Sequence, residues 1–182
     1  FNGKELDIAE ETKLLGIMIR SDLSWSSNTN YMVNRAYKKL WCLKRLKRLG
    51  ANCKDLIDVY CKQIRSPLES AAPAWHPNLT GVDRNRIERV QKSAFSIILG
   101  PSYKSYNSAL RSLKVKSLFE RRETLCKKFA QKSLKHPKFS KWFKPKVKNI
   151  STRRRTTKYC EIDTRTLRFE NSPISFLVKL LN

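Results

Sequence analysis

DRNRIERVQKSAFSIILG, residues 83–100, is the stretch whose reading decides the fold. Ile87, Val90, Ala94 and Ile97/Ile98 recur at spacings of three and four, which lines them up on one face of a helix. Arg86, Arg89 and Lys92 lie elsewhere on its surface. Gly100-Pro101 stops it, because glycine accepts the left-handed cap and proline cannot extend the hydrogen-bond ladder. The same period runs outward in both directions. Residues 28–49 put Val33, Ala36, Tyr37, Leu40 and Leu43 on one face and Arg35, Lys38, Lys39 and Arg45 on the other, and Gly50 ends the run. In its last turn Lys44, Lys47 and Arg48 return towards the apolar side. A second helix fits 54–65, with Leu56, Ile57, Val59, Tyr60 and Ile64 inward, and Pro67 ends or kinks it. One further helical turn fits before Pro73 and Pro77.

Downstream, a short helix is expected at 106–113 and a long one at 117–135. Leu118, Leu125 and Phe129 with Cys126, Ala130 and Leu134 make its core face. Arg121, Lys128, Lys132 and Lys135 form one basic stripe along it, and His136-Pro137 closes it. At the front, residues 4–8 and 12–20 read as paired strands joined by AEET, with Leu15, Ile17 and Ile19 alternating in the second. The fold class is therefore mainly α, with a short N-terminal β-hairpin, a helical bundle and a basic, partly irregular C-terminal region. The boundaries drawn from these patterns are 1–25, 26–100, 101–137 and 138–182. Residues 138–160 lose periodicity, mixing lysines and arginines with Phe139, Trp142 and Phe143. They are expected to order on a polyanion. The closing ISFLVKLL is expected to dock back on the body.

The chain of 182 residues carries a net charge of +24, unevenly spread. Residues 1–25 hold 3 basic and 5 acidic groups, 26–50 hold 7 basic and none acidic, and 101–160 hold 19 against 2. Self-repulsion on this scale points to a polyanionic partner, and backbone phosphate contacts need no sequence readout. Arg35, Lys38, Lys39, Arg45, Arg121, Lys128, Lys132 and Lys135 are the candidate nucleic-acid-binding residues. No membrane partner and no small-molecule substrate are expected. The absence of a signal-peptide pattern predicts an intracellular setting, with nucleus or cytoplasm left open.

The 5 cysteines have no CxxC or CxxH spacing and the 2 histidines, His76 and His136, lie far apart. Free, mostly buried thiols are expected, with no metal site. Asp55 and Asp58 sit among Lys54 and Lys62 as solvated helix charges, and nothing in the spacing of Cys61 and His76 supports a thiol–base pair. No nucleophile elbow, phosphate loop or carboxylate pair appears. No catalytic residues are assigned and no enzyme activity is expected of this chain.

KLLGIMIRSDLSW, NRAYKKLWCLKRLKRLG, LIDVYCKQIRSPLESAAPAWHPNLT, RIERVQKSAFSIILG, SLFERRETLCKKFAQKSL and NSPISFLVKLLN, in this order, resemble the C-terminal part of non-LTR (LINE-like) retrotransposon reverse transcriptases. The resemblance spans nearly the whole chain. It implies that KLLGIMI is the primer-grip block at the end of a polymerase palm, with Leu14, Leu15 and Gly16 at the matching positions. It also implies that 28–100 is a thumb cradling a template–primer duplex, RIERVQ lying on one thumb helix, and that the rest is the family's basic extension. The family's catalytic aspartates precede that block, so they and the Mg they hold fall outside this chain, which is expected to contain no cofactor. The cysteine–histidine knuckle often found near the family's end is absent from the sequence. The implied function is that of a transposable-element fragment of an RNA-directed DNA polymerase, keeping non-catalytic binding of RNA, DNA or their hybrid. Two alternatives stand beside it: the end of a longer, active reverse transcriptase reading frame, and a helical protein-interaction module.

Overall fold

The strand-like run at the N-terminus folds back on itself. The computed structural model describes residues 8–146 and 158–182. In it the hairpin consists of β1 (Glu11–Leu14) and β2 (Ile17–Arg20), paired antiparallel with Leu14 opposite Ile17. The expected pairing of 4–8 with 12–20 is thereby corrected, because residues 11–20 supply both strands; residues 4–7 lie outside the described residues. The two-residue loop is Leu15-Gly16, with φ of 48° and 86°. Positive φ at both central positions is the mark of a type I′ turn, whose twist matches that of a hairpin.

Residues 8–70 and 79–118 form one compact unit. Its frame is α1 (Ser26–Arg48) packed on α5 (Gly81–Leu99), which confirms the mainly helical fold class. Thr80 caps α5: its hydroxyl accepts from the Asp83 amide at 3.1 Å and donates to the Asp83 carboxylate at 2.8 Å. That carboxylate, only 3% exposed, also takes the Ser26 hydroxyl at 2.9 Å. The starts of the two helices are thus tied through one buried acid. Asn28, fully buried, accepts from the Met18 amide at 3.2 Å and fastens β2 to α1. An isolated two-stranded hairpin is marginal in water, and this bond, with that from the Ser27 hydroxyl to the Glu11 carboxylate at 2.9 Å, holds it to α1.

The next helical segment crosses its proline. α2 (Cys53–Val59), capped by Asn52, runs into a π-helical turn (Tyr60–Arg65) and then into α3 (Ser66–Glu69) with Pro67 in its first turn. The helix expected to end or kink near Pro67 widens just before it and stops two residues after it, at Glu69. Proline lacks an N–H and its ring collides with the carbonyl four residues back, here that of Gln63. The widened turn makes room, and the Lys39 ammonium donates to the Gln63 carbonyl at 2.8 Å. Leu56, Tyr60, Ile64 and Leu68 are fully buried along this segment. Tyr60 meets Phe95 edge to face at 5.4 Å. α6 (Tyr106–Ser112) is held against α5 through buried Gln91, whose side-chain oxygen takes the Tyr106 hydroxyl at 2.6 Å and the Leu118 amide at 2.9 Å.

Residues 71–78, 119–146 and 158–182 belong to a second unit. It contains α4 (Ala72–Trp75), most of α7 (Leu118–Lys135), α8 (Leu167–Glu170) and α9 (Pro173–Leu181). Cys126 and Ala130 of α7, Phe143, and Leu177 and Val178 of α9 form its core. The expected docking of ISFLVKLL is seen here. Phe143, expected within an irregular basic segment, is buried, and Trp142 packs against the same cluster. Residues 147–157, the centre of that segment, lie outside the described residues. Phe129 was expected inward but is 38% exposed, whereas Arg122, expected on no apolar face, is fully buried. Arg122 Nε donates to His76 Nδ1 at 3.3 Å, and its guanidinium carbon lies 5.9 Å from the Trp75 ring centre. Phe119 and Phe176 complete the aromatic surround of His76 at 5.4 and 6.0 Å.

Candidate nucleic-acid interface

Packing α1 by one face on α5 and the π-helical segment fixes which of its cations meet solvent. Val33, Ala36, Leu40 and Leu43 are buried, as expected, but Tyr37 is 42% exposed and falls outside the apolar stripe. Asn34, Lys38, Trp41, Arg45 and Arg48 follow one another at steps of four and three and are all exposed. Lys38 to Arg48 cover about 15 Å of helix axis, on the order of four nucleotide steps of a duplex strand.

The four candidates on α1 do not form one free set. Lys38 and Arg45 are exposed. Lys39 is committed to the Gln63 carbonyl. Arg35 donates to the Tyr31 hydroxyl at 3.0 Å and lies 5.4 Å from that ring centre. Lys13 of the hairpin approaches the same ring at 4.9 Å. The Lys13 hydrogen bond, helped by Arg35, holds the Tyr31 phenol below its ordinary pKa of 10.0, against a smaller opposing effect of desolvation.

Towards the end of α1 the outer face opens into a groove of about 510 Å³ lined by Trp41, Lys44, Arg45, Arg48 and Leu49. Trp41 is 65% exposed and the Arg45 guanidinium lies over its ring at 5.5 Å. Trp41 is not among the residues that the charge and apolar patterns of α1 select. Its spacing of three, four and seven to Lys44, Arg45 and Arg48 is the signal that could have singled it out.

In the second unit, Lys128, Lys132 and Lys135 are exposed along α7 and Arg121 is half-buried. Arg121 to Lys135 extend about 21 Å along the axis. The α1 and α7 candidates thus belong to different units. Leu14, Leu15 and Gly16, the primer-grip-like positions, make up the hairpin end; the two leucines are 57% and 94% exposed.

Other chemistry is sparse. Among the described residues no group of three or more His, Cys, Asp or Glu side chains is placed to hold a metal ion, and no helix is long and apolar enough to cross a membrane. The expectation that most of the cysteines are buried is corrected: Cys42, Cys53 and Cys160 are exposed, Cys61 is intermediate, and Cys126 alone among the described residues is buried. His76 is turned to Arg122. Asp58 pairs loosely with Lys62 at 3.7 Å in solvent, as its setting suggested. No protein-family model, no curated protein and no solved structure matches this chain.

Proposed function

We propose that the chain binds nucleic acid, whether RNA, DNA or their hybrid, through the outer face of α1, as the thumb-like part of a retrotransposon reverse transcriptase and without chemistry of its own. The observation that carries this reading is the acid-free run 26–50, in which Lys38, Arg45 and Arg48 lie on the solvent face, Lys44 borders it, and Lys47 is exposed at the helix end. With no carboxylate between them to neutralise the field, these cations suit a row of phosphates.

The test is equilibrium binding of an RNA–DNA hybrid duplex as a function of salt. Five phosphate contacts give a slope of roughly −4 in log affinity against log salt. The double variant Lys38→Glu, Arg45→Glu should bind more weakly at every salt concentration and reduce that slope by about 2. A flat salt dependence in the parent protein rejects the reading. Binding that the double variant leaves intact moves the interface off α1 and favours a protein-docking role for that helix.

A further inference from the structure

We propose that the groove at the end of α1 is a stacking site for an unpaired base of single-stranded nucleic acid, with Trp41 as the platform and Lys44, Arg45 and Arg48 holding the flanking phosphates. This rests on the reading of α1 as a nucleic-acid face and adds to it a preference for strand form. Three observations lead to it. First, an indole 65% exposed is left on a helix whose other face is fully used in packing. Second, Arg45 already lies over the ring at 5.5 Å, so a cation is held next to the aromatic surface. Third, among the described residues the groove is lined by three cations and no acid, and Leu49 is the other apolar residue there.

The choice of occupant follows from what each partner could satisfy. An apolar protein surface would have to strip water from three cations to reach one tryptophan, which costs more than the contact returns. A duplex answers the charges, but its base faces are covered by their neighbours in the stack. A lipid surface needs a broad apolar stripe, and here the apolar lining among the described residues is Trp41 and Leu49. An unpaired base offers a free π-face for the indole and a phosphate on each side for the cations. That combination of aromatic platform and basic groove is how single strands are held without sequence readout.

The experiment uses the full chain, one single-stranded oligonucleotide and an abasic strand of the same length. Trp41→Ala should weaken binding of the base-bearing strand on the order of tenfold, leave the abasic strand unchanged, and preserve the salt slope, since all the cations remain. Trp41→Phe, which keeps an aromatic ring, should recover most of the loss. Equal losses on both strands, or no loss on either while binding stays salt-dependent, overturn the stacking site and leave the phosphate-binding face standing. Absence of salt-dependent binding to either strand overturns the stacking site alone when the hybrid duplex still binds, and overturns both readings when the duplex does not bind either. Retention of Trp41-dependent binding by anionic phosphatidylserine vesicles, with no preference for the base-bearing strand, would also overturn it and assign the groove to a lipid surface.

Discussion

Lys39 shows how far one side chain can depart from what its position on a helical wheel implies. By spacing it belongs with Arg35, Lys38 and Arg45. In the fold its ammonium serves the carbonyl of Gln63, which Pro67 cannot serve. Lys39→Ala is therefore expected to destabilise the chain by about 1 kcal/mol in a denaturant melt, whereas Lys38→Ala stays within about 0.5 kcal/mol of the parent. Two buried groups set the response to alkali. Burial raises the Tyr60 phenol above its ordinary 10.0 and pushes the Cys126 thiol from 9.0 up to about 12. Above pH 9 the unfolded chain gives up protons that the folded chain keeps, so the folded state binds more protons and loses stability as pH rises. The melting temperature should hold between pH 6 and 8 and fall progressively above about 9. Cys126→Ala should flatten the fall up to about pH 12. A thiol reagent at neutral pH should modify Cys42, Cys53 and Cys160 quickly and reach Cys126 only on unfolding.

At the scale of elements, what was legible followed local periodicity. α5, α6 and α7 lie within two residues of their expected limits, because the 3.6-residue period, caps and breakers all act within a few residues of one another. The hairpin was misplaced because alternation through Leu15, Ile17 and Ile19 looks continuous in a string of letters, and only Gly16 hints at a reversal. Leucine at φ 48° is a poor occupant of a type I′ turn, where asparagine is preferred. Leu15→Asn should stabilise the hairpin by up to about 1 kcal/mol. Gly16→Ala should cost about 1 kcal/mol from backbone strain alone, since a Cβ there meets nothing within 4 Å. Amide exchange across β1 and β2 reads both. Arg122 was illegible for the opposite reason: Trp75 and His76, the residues it meets, lie more than forty positions back in the chain. Of the candidate interface, the exposed cations of α1 were legible from charge. The diversion of Lys39 and the setting of Trp41 were not, because both depend on packing.

For the whole molecule the governing quantity is the charge of +24. Like charges at this density repel one another in the folded state more than in the expanded chain. Added salt should therefore raise the melting temperature, and a polyanion such as heparin should raise it further at equal ionic strength, by binding the folded form. A melting temperature that falls with both would contradict a surface dominated by self-repulsion. The units also differ in where their cations lie, with the exposed face of α1 in one and the α7 stripe in the other. Comparing Lys38→Glu, Arg45→Glu with Lys128→Glu, Lys132→Glu in the hybrid-binding assay assigns the salt slope to one unit or divides it between them.

The path of the chain through the two units has a consequence for synthesis. The first unit is interrupted after Ser70 and resumes at Leu79, and the eight residues between them, Trp75 and His76 included, are placed with the second. A ribosome delivers those residues well before α9, whose core residues close the second unit. The first unit can be complete once Leu118 has cleared the exit tunnel, while the excursion at 71–78 still waits for its partners. Trp75, fully buried in the folded unit, thus stays without its partners from α7 and α9 until these have been made, and a chain stalled in that interval would present it to any chaperone within reach.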